Sequence, residues 1–382
     1  MIIYANRTKF ENSTGSLIIN DIFSPMQLEV HPWNQHLKIE IIRPGFKGID
    51  LSTENFNLLH LEYADDGDNP VAMFLQCIPL EIRENLNKFK YLQLQMMQLL
   101  STLNWEEYLS NEQLILLWLL MGKAVSKGWT LQQQREIIES GLDNLLGTLY
   151  ESPYLNLNDL KKISSDGHLD EAVFHGLDFV TSTGAGSSLL KSLSFIPAKL
   201  PRLMKKYSQM ADSMLLYSVF NQHRDYYQVI KVLDPMCKTW QKIISLSGIL
   251  KIENPGGRLN KIQNQDILYK SYEKLIERVE SLEFPEPPLE GTGTIIPLRR
   301  PTDLFWALQG EHYLSSAYCE RVNDGSCYFY EVKGHDDTII LIKVDIESES
   351  GGLKLGDVWS PGGGVPFETQ TLIEEWFEQT SK

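Results

Sequence analysis

Cysteine is scarce: four in 382 residues, at Cys77, Cys237, Cys319 and Cys327, with no pair spaced Cys-x-x-Cys. That excludes zinc-knuckle spacing and a disulfide-stapled framework, and leaves reduced thiols as the expectation. Long hydrophobic runs are also lacking. The longest, Leu114 to Met121, covers eight residues, against the roughly 20 that a membrane helix needs. The opening residues Met1 to Asn6 carry no charged stretch leading into an apolar core, so no signal peptide is expected. The expected setting is the cytoplasm, with no membrane partner. Cations are in deficit, with 35 Lys and Arg against 50 Asp and Glu, a formal net charge of −15. This balance argues against a surface that coats nucleic acid generally, while leaving room for one local basic patch. The sequence has no Walker loop, dinucleotide fingerprint, kinase set, nucleophile elbow or His-Glu-x-x-His helix. No cofactor and no metal site is therefore expected. No period of 30 to 45 residues repeats, so a TPR or HEAT array is not supported.

What is present is ordinary globular material: 42% hydrophobic and 10% aromatic residues, enough for a packed core over two or three domains. The first 64 residues read as β-rich. Ser16 to Ile19, Met26 to Val30 and Leu37 to Ile42 are short apolar or alternating runs between turn-forming clusters. From residue 65 to 284 the period turns helical. Asn111 to Met121 is apolar on most faces and belongs at a domain centre. Thr130 with Gln133 has capping-box spacing. Met204, Tyr207, Ala211, Met214 and Ser218 would share one face of a helix running from Met204 to Tyr217, a stripe that reads as a core seam. Residues 285–291 are proline-rich and read as a linker.

Residues 292–382 carry their own punctuation. Pro301 to Gln309 predicts a helix capped by Thr302 or Asp303. Strands are predicted at Ser326 to Val332, Thr338 to Val344 and Leu353 to Trp359. A glycine loop, Pro361 to Gly364, then leads to a last helix near Glu368, with Leu372, Ile373, Trp376 and Phe377 facing inward. The expected fold class is α+β: a β-rich N-terminal segment (1–64), a large all-helical middle (65–284) and a small antiparallel α+β domain (292–382) with helices on one face of the sheet.

The ordered pieces Leu308-Gln-Gly310, Tyr318-Cys-Glu-Arg-Val322 with Gly325, Tyr328-Phe-Tyr330, Ile339 to Ile342, Gly356-Asp-Val-Trp359, Gly363 to Pro366 and Glu375-Trp376 resemble the C-terminal domain of the PcfJ-like proteins. The resemblance covers roughly residues 300–380. It implies a context of bacterial mobile elements or antiphage defence. Members of that family commonly carry a His-Cys pair shortly after the glycine; here Ser315 and Ser316 stand at the equivalent positions.

Four sets of residues could carry chemistry. Glu311, His312 and Cys319, with Asp303 and Asp357 as possible neighbours, could form an acid–base or nucleophilic site. Gly362, Gly363 and Gly364 precede a helix and could turn backbone N–H groups toward an anion, though Glu368 in the first turn opposes this. Glu171 and His175, four apart, could share a metal, though no full ligand set accompanies them. Lys191, Lys199, Arg202, Lys205 and Lys206 lie in a stretch with no acidic residue between Asp178 and Asp212, a basic segment suited to nucleic-acid backbone or an acidic surface. The glycines of Thr183 to Ser187 precede it.

The leading functional expectation is an accessory or scaffold subunit that recognises a protein partner through the C-terminal module, within a multi-subunit complex. The alternatives are a hydrolase or nuclease-like effector using Glu311, His312 and Cys319, and nucleic-acid binding through residues 191–206.

Overall fold

A computed structural model describes residues 8–20, 27–42, 58–60, 69–164, 168–223, 225–308, 314–333, 339–347, 351–360 and 363–381. The class is α+β. The chain divides into two compact units, Met1–Asp212 and Ser213–Lys382.

The first unit opens with a four-stranded antiparallel meander in the order β1 (Thr8–Glu11), β2 (Ser16–Asn20), β3 (Gln27–Val30) and β4 (Ile39–Ile42). The register places Leu17 opposite Val30 and Ile19 opposite Leu28, and Val30 opposite Ile39. All five are buried, as period-2 alternation requires of a strand with one core face. β2, β3 and β4 match the sequence expectation; β1, whose Thr-Lys-Phe-Glu has little apolar content, was not anticipated.

Ten helices follow: α1 (Pro70–Gln76), α2 (Leu80–Leu86), α3 (Gln93–Ser101), α4 (Asn111–Lys127), α5 (Leu131–Glu139), α6 (Leu142–Leu149), α7 (Leu157–Lys161), α8 (Glu171–Thr183), α9 (Ser187–Ser192) and α10 (Lys199–Lys206). α4 is the centre of this unit, and every residue from Leu114 to Met121 is buried. A capping box of Ser110 and Gln113 starts it, and Gly128, in the left-handed region at φ 65°, ends it. Trp118 sets its edge against Phe89 and Phe174, each at 5.3 Å between ring centres, and its indole N–H donates to the Tyr91 carbonyl at 2.8 Å. The Thr130–Gln133 capping box is present at the start of α5.

One expected helix is two. Between Met204 and Tyr217 the chain leaves α10 at Tyr207 (φ −113°, ψ 52°) and restarts after the Ser213 cap. Met204, Tyr207, Met210 and Ala211 are buried, whereas Met214 is exposed, so no continuous stripe runs through them. Ser213, whose side chain accepts the Leu215 N–H at 3.1 Å, is the start signal of the second helix.

The second unit contains α11 (Met214–Gln222), α12 (Tyr226–Ile249), α13 (Pro255–Leu259) and α14 (Gln265–Glu280), then β5 (Ile295–Pro297), α15 (Pro301–Ala307), α16 (Ser315–Asn323), β6 (Cys327–Lys333), β7 (Ile339–Ile346), β8 (Leu353–Trp359) and α17 (Phe367–Thr380). The sheet order is β5-β6-β7-β8, all antiparallel. It has four strands, not three, and helices cover both faces. Tyr330, Ile340, Ile342 and Val344 pack with Ile373 and Trp376 of α17. On the other face Phe329 and Leu341 pack with Leu304, Cys319 and Val322 of α15 and α16. In α17, Leu372 is exposed rather than inward.

The proline-rich stretch is structural. Leu289 is buried in the α17 core and its N–H donates to the Tyr330 hydroxyl at 3.1 Å. The Trp376 indole N–H donates to the Glu290 carbonyl at 3.1 Å. Leu246 of α12, Val279 of α14 and Phe305 of α15 form one buried cluster. The C-terminal sheet therefore shares its core with the helices that precede the prolines. Three prolines and two acids within seven residues look like a tether in sequence, but the apolar Phe284 and Leu289 hold them down.

Candidate functional site

The C-terminal candidate set does not assemble among the described residues. Glu311, His312 and Gly362 lie outside them. Cys319 is 2% exposed in the core under α16. Burial, and then the neighbouring Cys327, push its thiol up to about 12, so at neutral pH it packs as a small hydrophobe rather than acting as a nucleophile. Asp303 caps α15, accepting from the Arg300 N–H at 3.0 Å. Asp357 is taken by Lys343 at 3.0 Å. A register shift between Ile342 and Val344 makes that pairing possible, by setting Gly356 and Asp357 opposite the single residue Lys343. Lys343 also meets Asp345 at 3.1 Å, and Asp345 meets Arg321 at 2.9 Å. Burial alone would lower the Lys343 ammonium, but its hydrogen bonds to Asp357 and Asp345 raise it. These charges satisfy one another. Ser315, buried in the first turn of α16, packs in the core, and Ser316 lies against the backbone of α12 at Gly248.

The glycine loops are likewise occupied or opposed. The Gly186 N–H donates to the Asp212 carboxylate at 3.0 Å, so an internal anion already fills that position. Gly363 and Gly364 are exposed, and Gly363 donates its N–H to the Ser360 carbonyl at 3.0 Å. Glu171 and His175 pair with each other at 3.7 Å. Among the described residues no group of three or more His, Cys, Asp or Glu side chains could hold a metal ion.

The basic segment behaves differently. α10 buries Leu200, Leu203 and Met204 against α8. The approach is close: a Cβ on Gly176 of α8 would lie 2.4 Å from the Pro201 backbone. The buried stripe turns Lys199, Lys205 and Lys206 outward, where all three are exposed. Arg202 sits between them, with Asp170 at 3.7 Å, and the Lys206 ammonium lies over the Tyr207 ring at 5.0 Å. Lys191 is exposed on α9.

Two more cations join this set from a part of the chain some thirty residues away. Ile163, just after α7, makes a parallel bridge with Ile196, fixed by the Ile196 N–H to the Lys162 carbonyl and the Ser164 N–H to the Ile196 carbonyl, both 2.8 Å. This brings Lys161 and Lys162 beside the loop that joins α9 to α10. The Lys162 ammonium donates to the Lys191 carbonyl at 3.0 Å and to Asp159 at 3.3 Å. Phe195, in the same loop, is 49% exposed. Among the described residues Lys161, Lys191, Lys199 and Lys205 make no ion pair with a carboxylate. Lys199 opens its helix, where the dipole disfavours a cation, and like charges three and four apart cost the helix a few tenths of a kcal/mol. Lys205 and Lys206 lie in the last turn, where the dipole favours them. Lys161 and Lys162 could not be found from sequence because a bridge, not chain proximity, delivers them; Phe195 was visible as one of two aromatics in the segment.

Comparison of the chain with protein-family models, with curated proteins and with solved structures returned no significant match.

Proposed function

We propose that this chain is a non-enzymatic binding subunit that docks the phosphate backbone of a nucleic acid on the face formed by α7, α9 and α10. The observation that carries this reading is the Ile163–Ile196 bridge, which sets Lys161 and Lys162 beside the segment bearing Lys191, Lys199, Arg202, Lys205 and Lys206, in a chain of net charge −15. Exposed cations spaced along a short helix match a polyanion, and one exposed aromatic gives little means to read bases, so binding is sequence-tolerant. The test is fluorescence anisotropy with a labelled duplex, titrated at low and physiological salt. The reading expects saturable binding that weakens steeply with salt and is competed poorly by polyglutamate. Absence of binding at low salt, or equal competition by polyglutamate, would overturn it.

Phe367 favours a second reading, recognition of a protein partner by the C-terminal module. It opens α17 with 83% of its surface exposed, so it contributes little to the fold. In this reading Phe367→Ala leaves thermal stability unchanged and abolishes co-purification of the partner; retained co-purification would refute it. The resemblance to PcfJ-like proteins adds a mobile-element or antiphage setting to both readings, and that setting rests on the C-terminal motifs alone.

A further inference from the structure

The second unit holds a cavity of about 380 Å³, within the roughly 300–1,000 Å³ of small-molecule sites. It lies between the C-terminal half of α12, the turn and short helix α13 that follow, and α14. Its apolar wall draws on all of these: Ile243 of α12, Ile252, Leu259 and Ile262 around α13, and Leu275 of α14. Ile243, Leu259 and Ile262 are buried. No aromatic ring lines the cavity. The turn into α13 is fixed by its own hydrogen bonds. The Ile252 N–H returns to the Ser247 carbonyl at 2.8 Å. Asn254, in the left-handed region at φ 46°, accepts the Gly257 N–H at 3.0 Å.

Every charged side chain that lines this cavity is a cation: Arg258 of α13, and Lys274 and Arg278 of α14. In a chain of net charge −15 that sorting needs a source, and α14 supplies it. Ser271, Lys274, Leu275 and Arg278 recur at i, i+3, i+4 and i+7, which is one face of a helix, and all four line the cavity. Glu273 and Glu277 each stand one position away, are exposed and do not line it. Arg258, Lys274 and Arg278 are exposed, so a solute reaches them. Among the described residues none of the three makes an ion pair with a carboxylate. Ser247, 2% exposed, lines the same cavity, and no described residue hydrogen-bonds its hydroxyl.

We propose that this cavity binds a phosphate monoester of an aliphatic chain, with its head on Arg258, Lys274 and Arg278 and its chain on Ile243, Leu259, Ile262 and Leu275. Three cations on one cavity exceed what a single carboxylate answers. A phosphate monoester brings a charge of about −1.5 to −2 and three acceptor oxygens, and guanidinium forks take such oxygens in pairs. The apolar wall is aliphatic and offers no ring for a base to stack on, so it suits a hydrocarbon chain rather than a nucleotide. The site belongs to the second unit and shares no residue with the cationic face of α7, α9 and α10, so it survives the refutation of that reading.

The experiment is isothermal titration of the full chain with octyl phosphate, hexyl phosphate, inorganic phosphate and octanol. Octyl phosphate should bind saturably at a single site. Hexyl phosphate should bind more weakly, by about fourfold for each methylene removed. Inorganic phosphate and octanol, which lack the chain and the charge respectively, should each bind at least about tenfold more weakly. Arg258→Gln with Arg278→Gln should keep the wild-type melting temperature, since both side chains are exposed, and should weaken octyl phosphate at least about tenfold. Ser271→Leu fills the cavity from the α14 wall, keeps all three cations and should also lose binding. Lys199→Glu with Lys205→Glu should leave the affinity unchanged, which separates this site from the face of α10. The proposal is overturned if octyl phosphate does not bind at millimolar concentration. Equal affinity for inorganic phosphate or for octanol overturns it as well. So does wild-type affinity in either folded cavity variant, or lost affinity in the α10 variant.

Discussion

Two cation clusters, one in each unit, are treated in opposite ways. In the second unit Lys343 lies almost buried between Asp345 and Asp357, and Arg321 closes the set on Asp345. In the first, Lys161, Lys191, Lys199 and Lys205 project from α7, α9 and α10 without a carboxylate partner among the described residues. Charges paired inside a fold serve the fold. Charges held exposed on a rigid, amphipathic helix are available to something else. The same contrast applies to the cysteines: Cys319 and Cys327 sit in the sheet core and serve packing.

If that contrast holds, damage to the second unit reads out as stability and damage to the α10 face reads out as binding. The largest stability loss should come from Trp376→Ala, which empties a buried aromatic site and strips the Glu290 carbonyl of its donor; about 3–5 kcal/mol is expected by urea denaturation. Next comes pH. Burial raises the folded thiols of Cys319 and Cys327 to about 12 and about 11, above the ordinary value of about 8.5. A raised folded value means stability is complete below the unfolded value and is lost as pH rises toward the folded one. Stability should therefore fall by about 2–4 kcal/mol between about pH 8 and about pH 10, and Cys319→Ala should remove roughly half of that fall. Lys343, also raised, adds loss in the same direction at still higher pH. Lys343→Ala should cost about 1–3 kcal/mol, toward the lower end because Asp345 keeps Arg321 and Asp357 faces water. The smallest stability effect should come from Lys199→Glu with Lys205→Glu: within about 0.5 kcal/mol, measured in the same melts. A large loss there would place α10 with the structural charges and dissolve the contrast.

Much of this was readable from sequence where local rules act alone. Alternation and turn residues gave β2, β3, β4, β6, β7 and β8, and Thr130 with Gln133 marked the start of α5. The failures have physical causes. Tyr318-Cys-Glu-Arg-Val322 is too short and mixed to announce α16, and Ile295–Pro297 is too short to announce β5. The helical period between Met204 and Ser218 hides the break at Tyr207 and the restart at Ser213. Phe284 and Leu289 anchor a proline-rich stretch that composition alone describes as a linker. The basic segment was visible as a gap in acidic residues, yet Lys161 and Lys162 join it only through the Ile163–Ile196 bridge.

The most direct measurement is the slope of log affinity against log salt for a duplex, in the full chain and in the Lys199→Glu, Lys205→Glu variant. If α7, α9 and α10 contact phosphates, the wild type gives a slope near −0.9 for each contact, and the variant binds more weakly with a slope shallower by about 2. Identical slopes and affinities in two folded proteins would contradict the account.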